Sequence, residues 1–144
     1  MRLFLTFMVS IFMISCTVVV QAAETDVMCP VSGKKAAKVS ISHNGGDIYF
    51  CCKNCRKAFE QNKDKFSTKA NQQLVVTGQA SQQKCPISGG KIKEGTELEV
   101  GGLPVSFCCK NCRKKVDGAS GDAQLALVFG DEAFQKGYAP TAKK

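Results

Sequence analysis

Large aromatic side chains and histidine are scarce in this chain. It has no tryptophan, two tyrosines and one histidine among 144 residues, and three of its nine phenylalanines lie in the apolar N-terminal segment. Few large side chains are therefore left to build a core, and a small fold with so little to bury needs a staple such as a disulfide or a bound metal. Cysteine, in contrast, is abundant, with nine residues.

The acidic residues and the single histidine do not form a catalytic set. No second histidine exists to pair with His43, and the carboxylates form no pair that recurs along the chain. We expect His43 to be a solvated turn residue beside hairpin glycines, not a metal ligand. We expect the carboxylates to lie on solvated faces and the protein to have no enzymatic activity. The carboxylates considered are Glu60, Asp64, Glu94, Glu97 and Glu99.

The N-terminus has the form of a secretory signal. A basic start is followed by an almost unbroken apolar run, Leu3 to Val20, and then by Ala22 and Ala23. This order predicts a signal peptide over residues 1–22 and a periplasmic or secreted protein with no stable membrane span. Two alternatives stay open. One is a retained transmembrane helix, since about 20 apolar residues can cross a bilayer; the other is lipidation at Cys16, although the residues before it fit a lipoprotein cleavage box poorly.

The chain is basic, with a net charge of +8 from 20 Lys and Arg against 12 Asp and Glu. Such an excess raises the question of nucleic acid as a partner, but export argues against it. Two explanations fit the charge equally: basic residues that offset thiolates around a metal ion, or a solvated basic face.

The sequence repeats itself. Cys29-Pro30-Val31-Ser32-Gly33 returns 56 residues later as Cys85-Pro86-Ile87-Ser88-Gly89. Phe50-Cys51-Cys52-Lys53-Asn54-Cys55 returns 57 residues later as Phe107-Cys108-Cys109-Lys110-Asn111-Cys112. Repetition at this period indicates a tandem arrangement of two similar units.

Each unit has the pattern of a small α+β fold. The segment after the first cysteine contains two short strand-forming runs around glycines, which predict a β-hairpin, with Pro104 placing its strand at an edge. A helix-favouring stretch follows each Cys-Cys pair, and it ends early in the second unit at Asp117-Gly118. We therefore predict units at residues 23–80 and 81–144, the second with a C-terminal tail, each a cysteine turn, a hairpin and a short helix.

The helix of the first unit should run from Lys53 to about Lys65, with Cys55 and Phe59 on its inward face. Two later apolar runs, at residues 74–76 and 125–129, are too short to assign to strand or helix and can pack the units together.

The cysteines of each unit suit a soft metal ion. One lies on a turn and three at a strand-to-helix junction, where the helix N-terminus and basic neighbours favour thiolate. Adjacent cysteines on a strand point to opposite faces, so the sequence does not decide whether three or all four cysteines bind the ion. Three thiolates suit copper(I), or zinc with one coordination position free, and four thiolates suit structural zinc. We predict one zinc or copper(I) ion per unit. The candidate ligands are Cys29, Cys51, Cys52, Cys55, Cys85, Cys108, Cys109 and Cys112.

The order of Cys-Pro-x-Ser-Gly, a glycine hairpin, an aromatic residue before Cys-Cys-x-x-Cys and a short helix resembles the TRASH and YHS family of metal-binding modules. The resemblance covers most of the chain after the signal except the C-terminal tail. It implies a treble-clef-like zinc-finger fold and a role in heavy-metal sensing, trafficking or resistance. The family's three spaced cysteines map onto Cys29, Cys51 and Cys55, and onto Cys85, Cys108 and Cys112.

The chain departs from that family at two pairs of positions. Many relatives have a second cysteine where this chain has Ser32 and Ser88, and this chain has an extra cysteine at Cys52 and at Cys109. These departures leave open whether Cys52 and Cys109 join the ligand set that the resemblance implies.

Disulfides are the main alternative to metal, because thiols oxidise outside the cytosol. A bridge between adjacent cysteines is strained, so pairs such as Cys29 with Cys52 or Cys55 are the ones to expect. Thiol-disulfide exchange at Cys52-Lys53-Asn54-Cys55 is a further hypothesis, but no thioredoxin-like βαβ pattern surrounds it.

From the sequence we expect an exported metal-binding protein for heavy-metal trafficking, buffering or sensing, which exchanges its ion with another protein. The alternative is a non-catalytic secreted interaction module whose cysteines are structural, as zinc or disulfide staples.

Overall fold

A computed structural model describes residues 26–141, which form an α+β fold of five helices and three two-stranded antiparallel sheets. The predicted signal peptide and Cys16 lie outside these residues. Within residues 26–141, no helix is long and apolar enough to cross a bilayer. The α+β prediction is confirmed at this level, and the treble-clef assignment stays a prediction.

Two hairpins form where glycine-centred turns were predicted. Strand β1 (Val39–His43) pairs with β2 (Gly46–Phe50), and β4 (Leu98–Val100) pairs with β5 (Leu103–Val105). Both central residues of each turn have positive φ: 45° and 82° at Asn44-Gly45, and 58° and 80° at Gly101-Gly102. Two-residue hairpins with this geometry favour asparagine and glycine, because the left-handed region is accessible to them at low cost.

The helical segment after the first Cys-Cys pair is longer than predicted. Helix α1 spans Lys53–Gln61, the chain breaks at Asn62 with φ −140° and ψ 58°, and α2 then spans Lys63–Val76. The prediction of one helix ending near Lys65 is therefore wrong. The short apolar run at residues 74–76, too brief to assign from its own pattern, forms the C-terminal end of α2.

The second half of the chain has the early-ending helix that was predicted for it and two further helices that were not predicted. Helix α3 (Lys110–Asp117) ends at Gly118, as expected from the Asp-Gly pair. It is followed by α4 (Gly121–Phe129) and α5 (Asp131–Gly137). The apolar run at residues 125–129 lies in α4, which packs against α2. The helices that contain the two unassigned runs therefore contact each other between the halves of the chain.

A small third sheet also joins the halves. Strand β3 (Ala80–Gln82), which follows α2, pairs antiparallel with β6 (Tyr138–Pro140), which follows α5. The buried apolar residues form one continuous cluster that contains both Cys29 and Cys85. The two cysteine-bearing turns are therefore anchored in a shared core.

Asn71 is a completely buried polar residue in the contact between the two halves of the chain. Its Nδ2 donates to the backbone oxygen of Phe129 at 2.9 Å and to Asp131 Oδ1 at 2.8 Å, while its Oδ1 accepts from Asn44 Nδ2 at 2.7 Å. One side chain thus ties the tip of the first hairpin to the junction of α4 and α5. Burial is tolerated because these hydrogen bonds satisfy the amide.

His43 is not the solvated turn residue that we predicted. It ends β1, is half-buried, lies 3.0 Å from Asn71 Oδ1 through Nε2, and meets the Phe59 ring edge-on at 5.5 Å between centroids. Burial lowers its pKa, although the contact with Asn71 opposes the shift. The hairpin tip folds back onto the helices, so the imidazole packs structurally and belongs to neither cysteine cluster.

Candidate metal centres

The first cysteine of each cluster is held by a tight turn. The backbone N–H of Gly33 donates to the Cys29 oxygen at 2.9 Å, and the N–H of Gly89 donates to the Cys85 oxygen at 2.7 Å. Each turn closes with a glycine at positive φ, 66° at Gly33 and 70° at Gly89. Cys29 is 1% exposed and Cys85 is fully buried.

The other cysteines lie where a strand gives way to a helix. Phe50 ends β2 and is fully buried, so it fixes the end of the strand in the core. The chain bends at Cys51 and Cys52, and α1 begins at Lys53 with Cys55 in its first turn. The same order follows Phe107, and the N-cap residues Cys52 and Cys109 have nearly identical dihedral angles, with φ −161° and −163°.

Three sulfurs of each cluster converge. The Sγ atoms of each triad lie within 4.8 Å of one another, and the Cys51–Cys55 and Cys108–Cys112 separations are 3.5 and 3.6 Å. Metal–thiolate bonds of about 2.3 Å place tetrahedral sulfurs about 3.8 Å apart. Each triad therefore has the ligand type and spacing that can hold one soft metal ion. The first triad is Cys29, Cys51 and Cys55, and the second triad is Cys85, Cys108 and Cys112.

Cys52 and Cys109 stand beside the triads and do not belong to them. Their Sγ atoms lie 3.9 Å from Cys51 Sγ and 3.7 Å from Cys108 Sγ, respectively. Cys52 is exposed and Cys109 is partly exposed. The geometry thus separates the adjacent cysteines that spacing alone left equivalent, while a four-thiolate site stays a prediction.

The serines of the two turns contact the triads. Ser32 Oγ lies 3.2 Å from Cys51 Sγ, and Ser88 Oγ lies 3.1 Å from Cys108 Sγ. Each hydroxyl oxygen also accepts a backbone N–H from the turn, that of Lys34 at 3.4 Å or of Gly90 at 3.2 Å. The hydroxyl proton is then available to a thiolate. A serine hydroxyl on the turn therefore faces a sulfur of each triad.

The thiols within a triad differ in acidity. Burial raises the pKa of Cys29, but the Ser32 hydroxyl and the backbone N–H of Cys51 outweigh burial and bring the pKa down to about 7. The pKa of Cys85 is also about 7, because the backbone N–H of Cys108 and the serine hydroxyl of its own turn overcome burial. Cys29 and Cys85 are therefore partly ionised to thiolates at neutral pH.

Cys55 and Cys112 show the opposite shift. The pKa of each is raised to about 12, first by burial and then by the sulfurs of the neighbouring cysteines. The negative charge of a thiolate is unfavourable where several cysteine sulfurs lie close together without a cation. A bound metal ion removes that cost, so these residues lose their protons when metal binds.

Two glutamines that the sequence did not single out hold the cysteine segments together. Gln73 is 4% exposed; its Oε1 accepts the N–H of Tyr49 at 2.6 Å, and its Nε2 donates to the oxygens of Met28 and Tyr49 at 2.7 and 2.9 Å. Met28 precedes Cys29 in the chain, and Tyr49 precedes Phe50 in β2. One amide therefore joins the turn of the first triad to the strand that leads into its other cysteines.

Gln82 makes the matching set of contacts at the second triad. Its Oε1 accepts the N–H of Ser106 at 3.0 Å, and its Nε2 donates to the oxygens of Ser106 and Lys84 at 2.6 and 3.0 Å. Gln73 comes from α2, whereas Gln82 comes from β3. Because the two glutamines do not share a place in the repeat, aligning the units could not have found them.

All eight cysteines between Cys29 and Cys112 are free thiols in the structure. The acidic residues named from the sequence contribute to neither triad. Glu60 pairs with Arg56 at 3.3 Å on an exposed face of α1, in agreement with the solvated role expected for it.

Comparisons with known proteins leave the chain without an assigned family. No protein-family model matches it, and neither a curated protein nor a solved structure matches it significantly. The resemblance to TRASH and YHS modules therefore stays an expectation from the cysteine pattern.

Proposed function

We propose that this is an exported, non-enzymatic metal-binding protein that holds one zinc or copper(I) ion in each cysteine triad, for trafficking, buffering or sensing of heavy metal. The observation that carries the proposal is the convergence of three sulfurs within 4.8 Å at each of two places. Thiolate clusters select soft or borderline ions over magnesium or calcium.

The surroundings of the triads support metal binding. Each triad combines a buried cysteine on a turn with two more at the start of a helix, and a serine hydroxyl and backbone N–H groups face the sulfurs. Three thiolates around a divalent ion carry a net charge of −1, and around a monovalent ion −2. Lysine and arginine near the cysteines in α1 and α3 offset that charge.

A structural role for the metal is the second candidate. Cys29 and Cys85 are part of the shared core, so an ion bound to them would also staple a fold that has few large apolar residues. In that case the ion would be held permanently, and the working surface would lie elsewhere.

Elemental analysis of anaerobically purified protein tests the proposal. Wild-type protein should bind two ions per chain with its thiols intact. Cys29→Ser and Cys85→Ser should each lose one ion and keep the other, so each triad serves as the matched control for the other. Less than about half an ion per chain in the wild type, or a mass lower by eight hydrogens from four disulfides, would contradict the proposal.

Chelator treatment separates the two candidates. A carrier or buffer should release its metal to a competing chelator while the helical circular dichroism signal is retained. Loss of the fold together with the metal would favour the structural role.

A further inference from the structure

We propose that Cys52 and Cys109 are transfer ligands, which take the metal ion from the triad beside them and present it to a thiol on an acidic surface of a partner protein. This inference rests on the proposed function and deepens it, since it assigns a direction of exit and a kind of partner to the same two sites.

The position of Cys52 suits this role. Its sulfur lies 3.9 Å from Cys51 Sγ, close to the separation of about 3.8 to 4.0 Å expected for two thiolates on one ion. It is exposed, whereas Cys29 of the triad is 1% exposed. An ion can therefore leave the triad on the Cys52 side without losing sulfur ligation.

The second triad repeats this asymmetry. Cys109 Sγ lies 3.7 Å from Cys108 Sγ and is more accessible than the fully buried Cys85. Both outer cysteines are helix N-cap residues with the same backbone conformation. The extra cysteine thus lies next to the triad at both sites and is more exposed than the buried cysteine of that triad.

Transfer by this route is a ligand exchange without a redox step. The Cys52 thiol loses a proton and forms a bond to the metal as the bond to Cys29 breaks, and the freed Cys29 thiolate takes up a proton in exchange. The partner's thiol then loses a proton to solvent and bonds to the ion, and each remaining cysteine takes up a proton from solvent as its bond to the ion breaks. The oxidation state of the metal does not change.

The charges near Cys52 and Cys109 indicate the charge of the partner's surface. Lys53 and Lys57 lie one turn apart on α1, and Lys110 and Lys114 lie one turn apart on α3. All four are exposed, and none makes an ion pair with any residue between 26 and 141. A partner thiol in acidic surroundings is therefore attracted to these lysines, and a partner thiol in basic surroundings is repelled.

The test follows copper leaving the protein. Reduced protein loaded anaerobically with copper(I) is mixed with an excess of one of two pentapeptides, each with a central cysteine flanked by four glutamates or by four lysines. Copper in the protein fraction is measured over time after rapid gel filtration. The double variant Cys52→Ser/Cys109→Ser is compared with Asn54→Ser/Asn111→Ser, which changes neighbouring helix-start residues without removing a sulfur.

We expect the cysteine double variant to keep two copper ions with an affinity within about threefold of wild type, measured by competition with bicinchoninate. Its transfer to the acidic peptide should slow by about tenfold or more. The asparagine variant should match wild type, which itself should favour the acidic peptide. Lys57→Glu/Lys114→Glu should remove that preference.

Each contrary result has a distinct meaning. If the cysteine double variant loses its copper, Cys52 and Cys109 are resident ligands; the transfer role is overturned while the proposed function stands. Unchanged transfer in that variant also overturns the role, and equal rates with both peptides overturn the acidic partner. A wild-type protein that binds no metal overturns this inference and the proposed function together.

Discussion

The substitution Gln73→Ala should destabilise the fold around the first triad. The amide is almost completely buried and makes three hydrogen bonds, of 2.6, 2.7 and 2.9 Å, to the backbone of Met28 and Tyr49. Alanine removes all three and leaves one N–H and two oxygens without their partner.

The expected loss can be worked out from these contacts. Each hydrogen bond contributes about 1 kcal/mol net, and unsatisfied buried groups raise the cost of losing it, so Gln73→Ala should lower the free energy of unfolding by about 3 kcal/mol. Domains of this size are stable by only about 5–15 kcal/mol in total. Gln72→Ala is a matched control, because Gln72 is partly exposed and makes one hydrogen bond, 2.9 Å to the Gly101 oxygen. It should cost about 1 kcal/mol or less.

Urea unfolding of the reduced, metal-free protein, followed by circular dichroism, measures both losses. A second readout is copper stoichiometry, because Gln73 joins the segments that carry Cys29 and Cys51. The variant should weaken binding at the first triad and leave the second intact. A loss below about 1 kcal/mol for Gln73→Ala, or equal losses for the two variants, would refute the reasoning that this amide holds the site together.

Two further predictions concern the protons and the packing of the sites. The metal affinity of each triad should rise with pH by about tenfold per unit for each proton released, because the pKa of Cys55 in the first triad and of Cys112 in the second is raised to about 12 and that proton must leave. Chelator competition between about pH 6 and 8 measures the affinity, and a pH-independent affinity would contradict the prediction. Gly137→Ala should cost about 1–3 kcal/mol in thermal unfolding, since its new Cβ would lie 2.9 Å from Pro86 Cα. Gly118→Ala, whose Cβ would meet nothing closer than 3.4 Å, should change little, and equal effects would argue against crowding at Gly137.

Local chemistry in the sequence determined the parts of the protein that depend on a few adjacent residues. Hairpins formed where glycine or asparagine allows positive φ, as at Asn44-Gly45, and α3 ended at Gly118. The convergence of Cys29 with Cys55 also followed from the motif, because a tight turn and a helix start are local structures that bring their cysteines to the same end of a hairpin.

Contacts between distant parts of the chain decided the features that the local sequence left open. Burial of Phe50 fixes where β2 ends, and the turn into α1 then places Cys51 in the triad and Cys52 outside it. The continuation of α2 to Val76, the burial of His43 and the role of Gln73 depend on surfaces supplied by distant parts of the chain. The cysteine spacing predicted that thiols would meet beside each hairpin, whereas packing of the whole core decided which thiol is buried and which is exposed to solvent.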